Sequence, residues 1–368
     1  MFDGIIGFFS RIFEAIGRGI GRFIAALLWP FVAVGSWYRK RGWILRGILA
    51  VLVVGWLGSY VSFLWNTQRW TGFDPDYVAA YSLSGRTVEP GAAREKEGTC
   101  GTSSIVEVSS GLLDFNVNQN VWIPATLLSK LGFFGMDWKY TPYFDNKAAF
   151  QLGVNQVLRR TSIELVDRLG RVRGTSQIDQ SLQDARGDLS YDEHAWYWNM
   201  SPFGPQIPAW SKYRSAKNNL LKFNDRLSRC EATFDARADN LLEFLDRVAS
   251  DIGSTSDILR ARMEYSNAGW FDPRADDRFW FAYGQLYAYY GILSAARQDF
   301  NFVFTDRGMG QLWARTTEQL RAALNVQPMI VSNGGESSWI MPSHLAIMGF
   351  YLLRVRSNLV EIRDVLKR

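Results

Sequence analysis

The chain has 368 residues, of which 47% are hydrophobic and 15% aromatic, and a formal net charge of +5. That apolar content suffices for one or two buried cores. The positive charge sits in residues 1–69, with eight Lys+Arg against two acids, while the rest is nearly balanced; this excludes a broad nucleic-acid-binding surface, and two cysteines exclude a four-thiolate zinc site.

The first thirty residues place Phe2, Ile5, Phe9, Ile12, Ile16, Ile20, Phe23 and Leu27 at helical spacing, with Arg11, Glu14, Arg18 and Arg22 opposite. That pattern predicts an interfacial amphipathic segment over 1–40, and residues 24–38, interrupted by Pro30, could alternatively form a re-entrant hairpin. Gly47 to Trp65 is nineteen residues without a charge, roughly 28 Å as a helix. It predicts a transmembrane signal-anchor over 41–66. Arg39, Lys40, Arg41 and Arg46 precede it and only Arg69 follows closely, so the N-terminus is expected in the cytoplasm and the remainder across the membrane. Residues 67–104 read as a juxtamembrane segment and linker, Gly- and Pro-bearing and charged towards the end.

Residues 105–368 read as one helical domain. Phe150, Val154, Val157 and Leu158 begin a helix that runs to Leu169. Leu220, Phe223, Leu227, Cys230 and Phe234, then Ala238, Leu241, Leu245, Val248 and Ile252, form a heptad seam with one four-residue stutter. The seam predicts a helix of about forty residues ending at Gly253, packed on another long helix or on a second copy of the chain. Helices over Arg278–Phe304, Gly310–Leu324 and Pro342–Lys367 complete the pattern. Asn333-Gly334-Gly335, between 329–332 and 337–341, predicts a tight β-hairpin. The fold expected is mainly α: an interfacial helix, one transmembrane helix, and a periplasmic helical bundle with a small β-hairpin.

Chemistry-bearing residues are few. His344 stands near Glu336, Ser337 and Ser338, the residue types of a Ser–His–acid site, but there is no G-x-S-x-G elbow and each residue has a local reason as a turn or helix cap. His194 lies in DEHAWYWN, whose Trp196 and Trp198, with Trp210 beyond, could stack on a glycan or lipid headgroup or fill core. Cys100 and Cys230 are the only cysteines, and an oxidising compartment would pair them. Asp235, Asp239, Glu243 and Asp246 read as a solvated helix face, and Asp276 and Asp277 as a helix start. No spacing fits a metal site and no cofactor is called for.

Four blocks resemble a known family: LLDFNVNQNVWIPATLL, YFDNKAAFQLGVNQVLRR, FDARADNLLEFLDRVASDIGSTSDIL and the terminal PSHLAIMGFYLLRVRSNLVEI. They resemble the bacterial inner-membrane family known as domain of unknown function 2333. The resemblance implies a Gram-negative inner-membrane protein with its main domain in the periplasm, and it supplies no reaction or catalytic residue. The combined reading favours a non-enzymatic envelope scaffold or complex subunit. Its partners would be the lipid bilayer and other envelope proteins, or further copies of itself. The alternatives are a periplasmic hydrolase or transferase and a glycan- or lipid-binding module.

Overall fold

The computed structural model describes residues 21–22, 25–26, 28–81, 83, 101–141, 143–171, 177–265, 272–334 and 342–368. The chain divides into Met1–Ser62 and Phe63–Arg368. In the first unit residues 28–39 are helical, and residues 1–20, which carry most of the amphipathic stripe, lie outside the described residues. The helix α1 (Trp43–Gln68) has a mean hydropathy of 2.0 over its most apolar stretch. At 1.5 Å per residue it is about 39 Å long, enough to cross a bilayer. Val51, Val54 and Val61 are each about two-thirds exposed or more, so α1 carries uncovered apolar surface along its length.

The second unit is mainly α. Its helices are α2 (Ser104–Asp114), α3 (Leu127–Leu131), α4 (Asn146–Glu164), α5 (Gln180–Leu189), α6 (Ala209–Ser228), α7 (Ala238–Tyr265), α8 (Ala275–Asp299), α9 (Asn301–Asp306), α10 (Gly310–Leu324) and α11 (His344–Leu366). The centre is α8, with Phe279, Tyr283, Leu286, Tyr287, Ile292 and Ala296 all buried. It runs parallel to α4 through a close crossing. A Cβ on Gly153 would strike the Phe281 carbonyl oxygen, and one on Gly284 the Phe150 carbonyl oxygen. Two glycines therefore set this approach, and they bring the N-termini of both helices to one end of the bundle.

The heptad seam is interrupted. α6 ends after Ser228, where the Cys230 N–H donates to the Leu227 carbonyl at 3.1 Å and the Glu231 N–H to the Arg226 carbonyl at 2.9 Å. Cys230 itself has φ +61°. This is the left-handed helix ending known as a Schellman motif, and it replaces the single forty-residue helix expected from the pattern. The stutter between Phe234 and Ala238 coincides with the restart as α7, and Gly253, expected as the stop, lies inside α7. α7 then packs antiparallel along α11. Arg363 reaches Asp246 at 2.8 Å near one end, and the Ser343 hydroxyl reaches the Met263 sulfur at 3.4 Å near the other. Leu241, Leu245, Val248 and Ile252 are buried within the chain, so they are not available to pair a second copy. Asp239 and Asp246 are exposed as expected and Glu243 is half-buried, but Asp235 precedes the helix and is buried, its carboxylate held by Arg237 Nε at 2.9 Å.

The β-hairpin also sits elsewhere than expected. β1 (Trp198–Met200) pairs antiparallel with β2 (Phe203–Pro205). Near the C-terminus an isolated bridge joins Asn333 to Ser343, and residues 335–341, where the expected hairpin would continue, lie outside the described residues. Its amide is drawn into the core by Asp272 Oδ2 at 2.9 Å, and Asp272 in turn holds Arg262. A buried ion pair fixes this segment where the turn chemistry of Asn-Gly-Gly would not.

Candidate functional site

His344 opens α11, just after Ser343, whose hydroxyl accepts the Ala346 N–H at 3.2 Å as the helix cap. The His344 N–H donates to the Ser332 carbonyl at 3.0 Å, and the Ser332 N–H donates back to His344 Nδ1 at 3.0 Å. Burial pushes the imidazole pKa below its usual value, with the Ser332 backbone acting the other way. With Nδ1 accepting a backbone N–H, neutral His344 carries its proton on Nε2 and has no lone pair left to take one. The Ser332 hydroxyl lies 3.1 Å from Nδ1 but is also hydrogen-bonded to the Pro342 carbonyl. Glu336, Ser337 and Ser338 lie outside the described residues. Of that candidate cluster the described structure therefore places His344 alone, as a brace between α11 and the backbone at Ser332.

The aromatic candidates divide. DEHAWYWN begins as an Asx turn, the His194 N–H donating to Asp192 Oδ1 at 3.0 Å, and Glu193 is held by Arg159 at 3.2 Å. His194 is exposed, with Nδ1 3.3 Å from the Pro124 carbonyl oxygen. Trp196 and Trp210 meet in a surface groove of about 380 Å³ with Trp122, Asn118, Leu127 and Arg214. The Arg214 guanidinium lies 4.6 Å over the Trp210 ring, and its Nε donates to Asn118 Oδ1 at 2.6 Å. A flat ring backed by a cation and an amide can hold a sugar face or a polar headgroup. Trp198 is not in this groove. It lies on β1 with its ring 5.1 Å from that of Phe203.

A third locality carries no sequence signal. Lys147, buried near the start of α4, donates to the carbonyls of Asn66 at 3.0 Å and Arg69 at 2.7 Å. These carbonyls belong to the end of α1, where no intrahelical partner remains. Burial, with Arg69 nearby, lowers the Lys147 pKa to about 8. Gln68 donates to the Tyr143 carbonyl at 2.9 Å, and the Phe63 ring lies 4.8 Å from Trp138. From there the chain lies along α8 as an aromatic strap. Trp70 contacts Trp280 at 5.4 Å, Phe73 stacks on Tyr287 at 5.6 Å, and Tyr77 stacks on the same ring at 4.3 Å. The Tyr77 hydroxyl donates to the Tyr287 carbonyl at 2.8 Å.

Beside Lys147, the joined N-termini of α4 and α8 hold three carboxyls. Asp145 and Asp276 are buried; Oδ1 of Asp276 has no hydrogen-bond partner, and the Asp145 oxygens meet no N–H or hydroxyl donor, only the carboxyl of Asp277. Burial, then Asp277 and Asp276, push Asp145 up to about 10; burial, then Asp277, push Asp276 up to about 8. Asp277 is raised as well, chiefly by burial. Contact between Asp145 and Asp277 is favourable only where one of the two carries a proton, and that is the state the burial selects. Among the described residues no group of three or more His, Cys, Asp or Glu is disposed to hold a metal ion.

The family described as "uncharacterized protein conserved in bacteria (DUF2333)" matches residues 40–368, which takes in α1 and the whole second unit. No match was found among curated proteins or among solved structures. The match covers most of the chain, and the protein belongs to the DUF2333 family of bacterial proteins.

Proposed function

We propose that the chain is a single-span inner-membrane protein whose helical domain, residues 105–368, stands in the periplasm as a non-enzymatic scaffold for other envelope proteins. The observation that carries this reading is the docked helix end. Lys147 closes the last carbonyls of α1, and the strap Trp70–Phe73–Tyr77 continues directly onto α8. A tether lets an enzyme search for substrate, whereas a start of the second unit packed onto its own core suits a protein that positions others. The basic flank before α1 supports a cytoplasmic N-terminus. An oxidising compartment agrees with Cys230, which is disulfide-bonded; its proposed partner, Cys100, lies outside the described residues.

The test is purification of tagged full-length protein from membranes in two mild detergents, with absolute quantitation of the chains recovered. The scaffold reading expects a second envelope chain at one ratio in both. A lone monomer contradicts it. A second reading, glycan or headgroup binding, has the Trp196–Trp210–Arg214 groove in its favour. Under it, Trp210→Ala abolishes the saturable quenching of tryptophan fluorescence by cell-wall glycan fragments; no quenching in the unaltered protein removes this reading.

A further inference from the structure

We propose that the loop Leu127–Tyr140 is a second membrane contact, laying Leu131, Phe134 and Met136 into the headgroup boundary of the bilayer that α1 crosses. The inference rests on the reading above that α1 is a retained span. Its first support is a turn that is wrong for water. The Phe133 and Met136 backbones bridge each other at 2.6 and 3.0 Å, with Phe134 at φ +51° and Gly135 at φ +92° between them. Both central residues of this two-residue turn are left-handed, a geometry that favours Asn-Gly. A phenylalanine there is strained, and its side chain is 59% exposed. An aqueous turn gains nothing from that choice, while a turn dipped into lipid gains the burial of the ring.

The flanks repeat the pattern. On α3, Leu128 points into the core while Leu127 and Leu131, one turn apart, are exposed, as are Met136 and Tyr140. Lys130 and Lys139 border the apolar patch, Lys139 pairing with Asp137 at 2.7 Å, and the Arg274 guanidinium stands 6.0 Å from the Tyr140 ring. Apolar side chains rimmed by an excess of cations match the boundary of an anionic bilayer.

What identifies the occupant is position. Trp138 lies beneath the loop, its Nε1 donating to the Leu128 carbonyl at 2.6 Å and its ring 5.6 Å from Phe133. The same ring also lies 4.8 Å from that of Phe63, in the last turns of α1. One indole therefore fixes the loop beside the place where the chain leaves the bilayer.

Nitroxide accessibility in liposomes of phosphatidylethanolamine and phosphatidylglycerol tests this on the full chain. Phe134→Cys, Met136→Cys, Val54→Cys within α1 and Phe302→Cys in α9, beyond the C-terminal end of α8, are labelled without reductant, and the unaltered protein reports any labelling of native thiols. Phe302 is 65% exposed and serves as the aqueous reference. The proposal expects the labels at 134 and 136 to be several-fold less accessible to a water-soluble nickel complex than the label at 302. It also expects them to favour oxygen, as the label at 54 does. Labels at 134 and 136 that behave like 302, while 54 is in lipid, overturn the proposal and leave the span reading intact. Labels shielded from both reagents indicate a protein occupant and also overturn it. A water-accessible label at 54 removes the span reading and this inference with it.

Discussion

Asp276 and Asp145 lie buried at the meeting point of two helix N-termini, where the dipoles favour negative charge but burial opposes it. Burial prevails, and both carboxyls are raised, to about 8 and about 10. A carboxyl whose folded pKa exceeds its unfolded value binds more protons folded than unfolded between the two values. Stability is therefore greatest below the unfolded pKa and falls as pH rises towards the folded one. Between about pH 5 and 8, Asp276 alone contributes a loss of up to about 1.4 kcal/mol per pH unit. Denaturant unfolding of the full chain in detergent should show Asp276→Asn flattening that slope and matching or exceeding the original stability at pH 8. An unchanged slope would place the proton elsewhere. Neighbours that set the balance are Asp272, Asp277, Asp137, Arg274 and Arg278. At His344 the expectation is structural: His344→Ala leaves the Ser332 N–H without its acceptor and lowers stability by about 1–3 kcal/mol. His344→Asn, which offers an oxygen near the Nδ1 position, restores most of it in the same unfolding measurement.

Among the elements, α4 and α8 meet through Gly153 and Gly284, and neither site has room for a methyl group against the opposing carbonyl. Gly153→Ala should lower stability by about 1–3 kcal/mol, the usual range for overpacking, and a neutral result would mean the helices can part. Lys147→Met keeps the bulk of the side chain but removes two charge-assisted hydrogen bonds from the end of α1, a loss of about 2 kcal/mol. The sequence made some elements plain. α10 spans Gly310–Leu324 as its apolar spacing predicts, and Pro342 and Ser343 marked the start of α11. The heptad pattern does not separate α6 from α7, because it records which face is buried and is silent on a left-handed ending at Cys230. Asn333-Gly334-Gly335 signals a hairpin because turn propensity is local, whereas Asn333 is held by Asp272 from a distant part of the chain. Lys147 was invisible for the same reason: one lysine in a helix start gives no sign that two carbonyls some eighty residues earlier await it.

For the molecule as a whole, the decisive segment is the one that follows α1. Phe63 to Leu83 reads in sequence as an exit followed by a linker, yet its aromatic side chains at 70, 73, 77 and 81 pack against the core. The candidate site was legible only in part. The tryptophans could be named, though only Trp196 and Trp210 come together, and the acids of the α4–α8 junction looked like an ordinary helix start. Hydrogen exchange on the full-length protein in lipid nanodiscs, read over the amides of Asn66 to Leu83, tests the central claim most directly. The account predicts slow exchange at the hydrogen-bonded amides at 69, 77, 79 and 81, approaching that of α8, with Lys147→Met loosening Arg69 first. Exchange of the whole segment at the rate of an unstructured tether would contradict it.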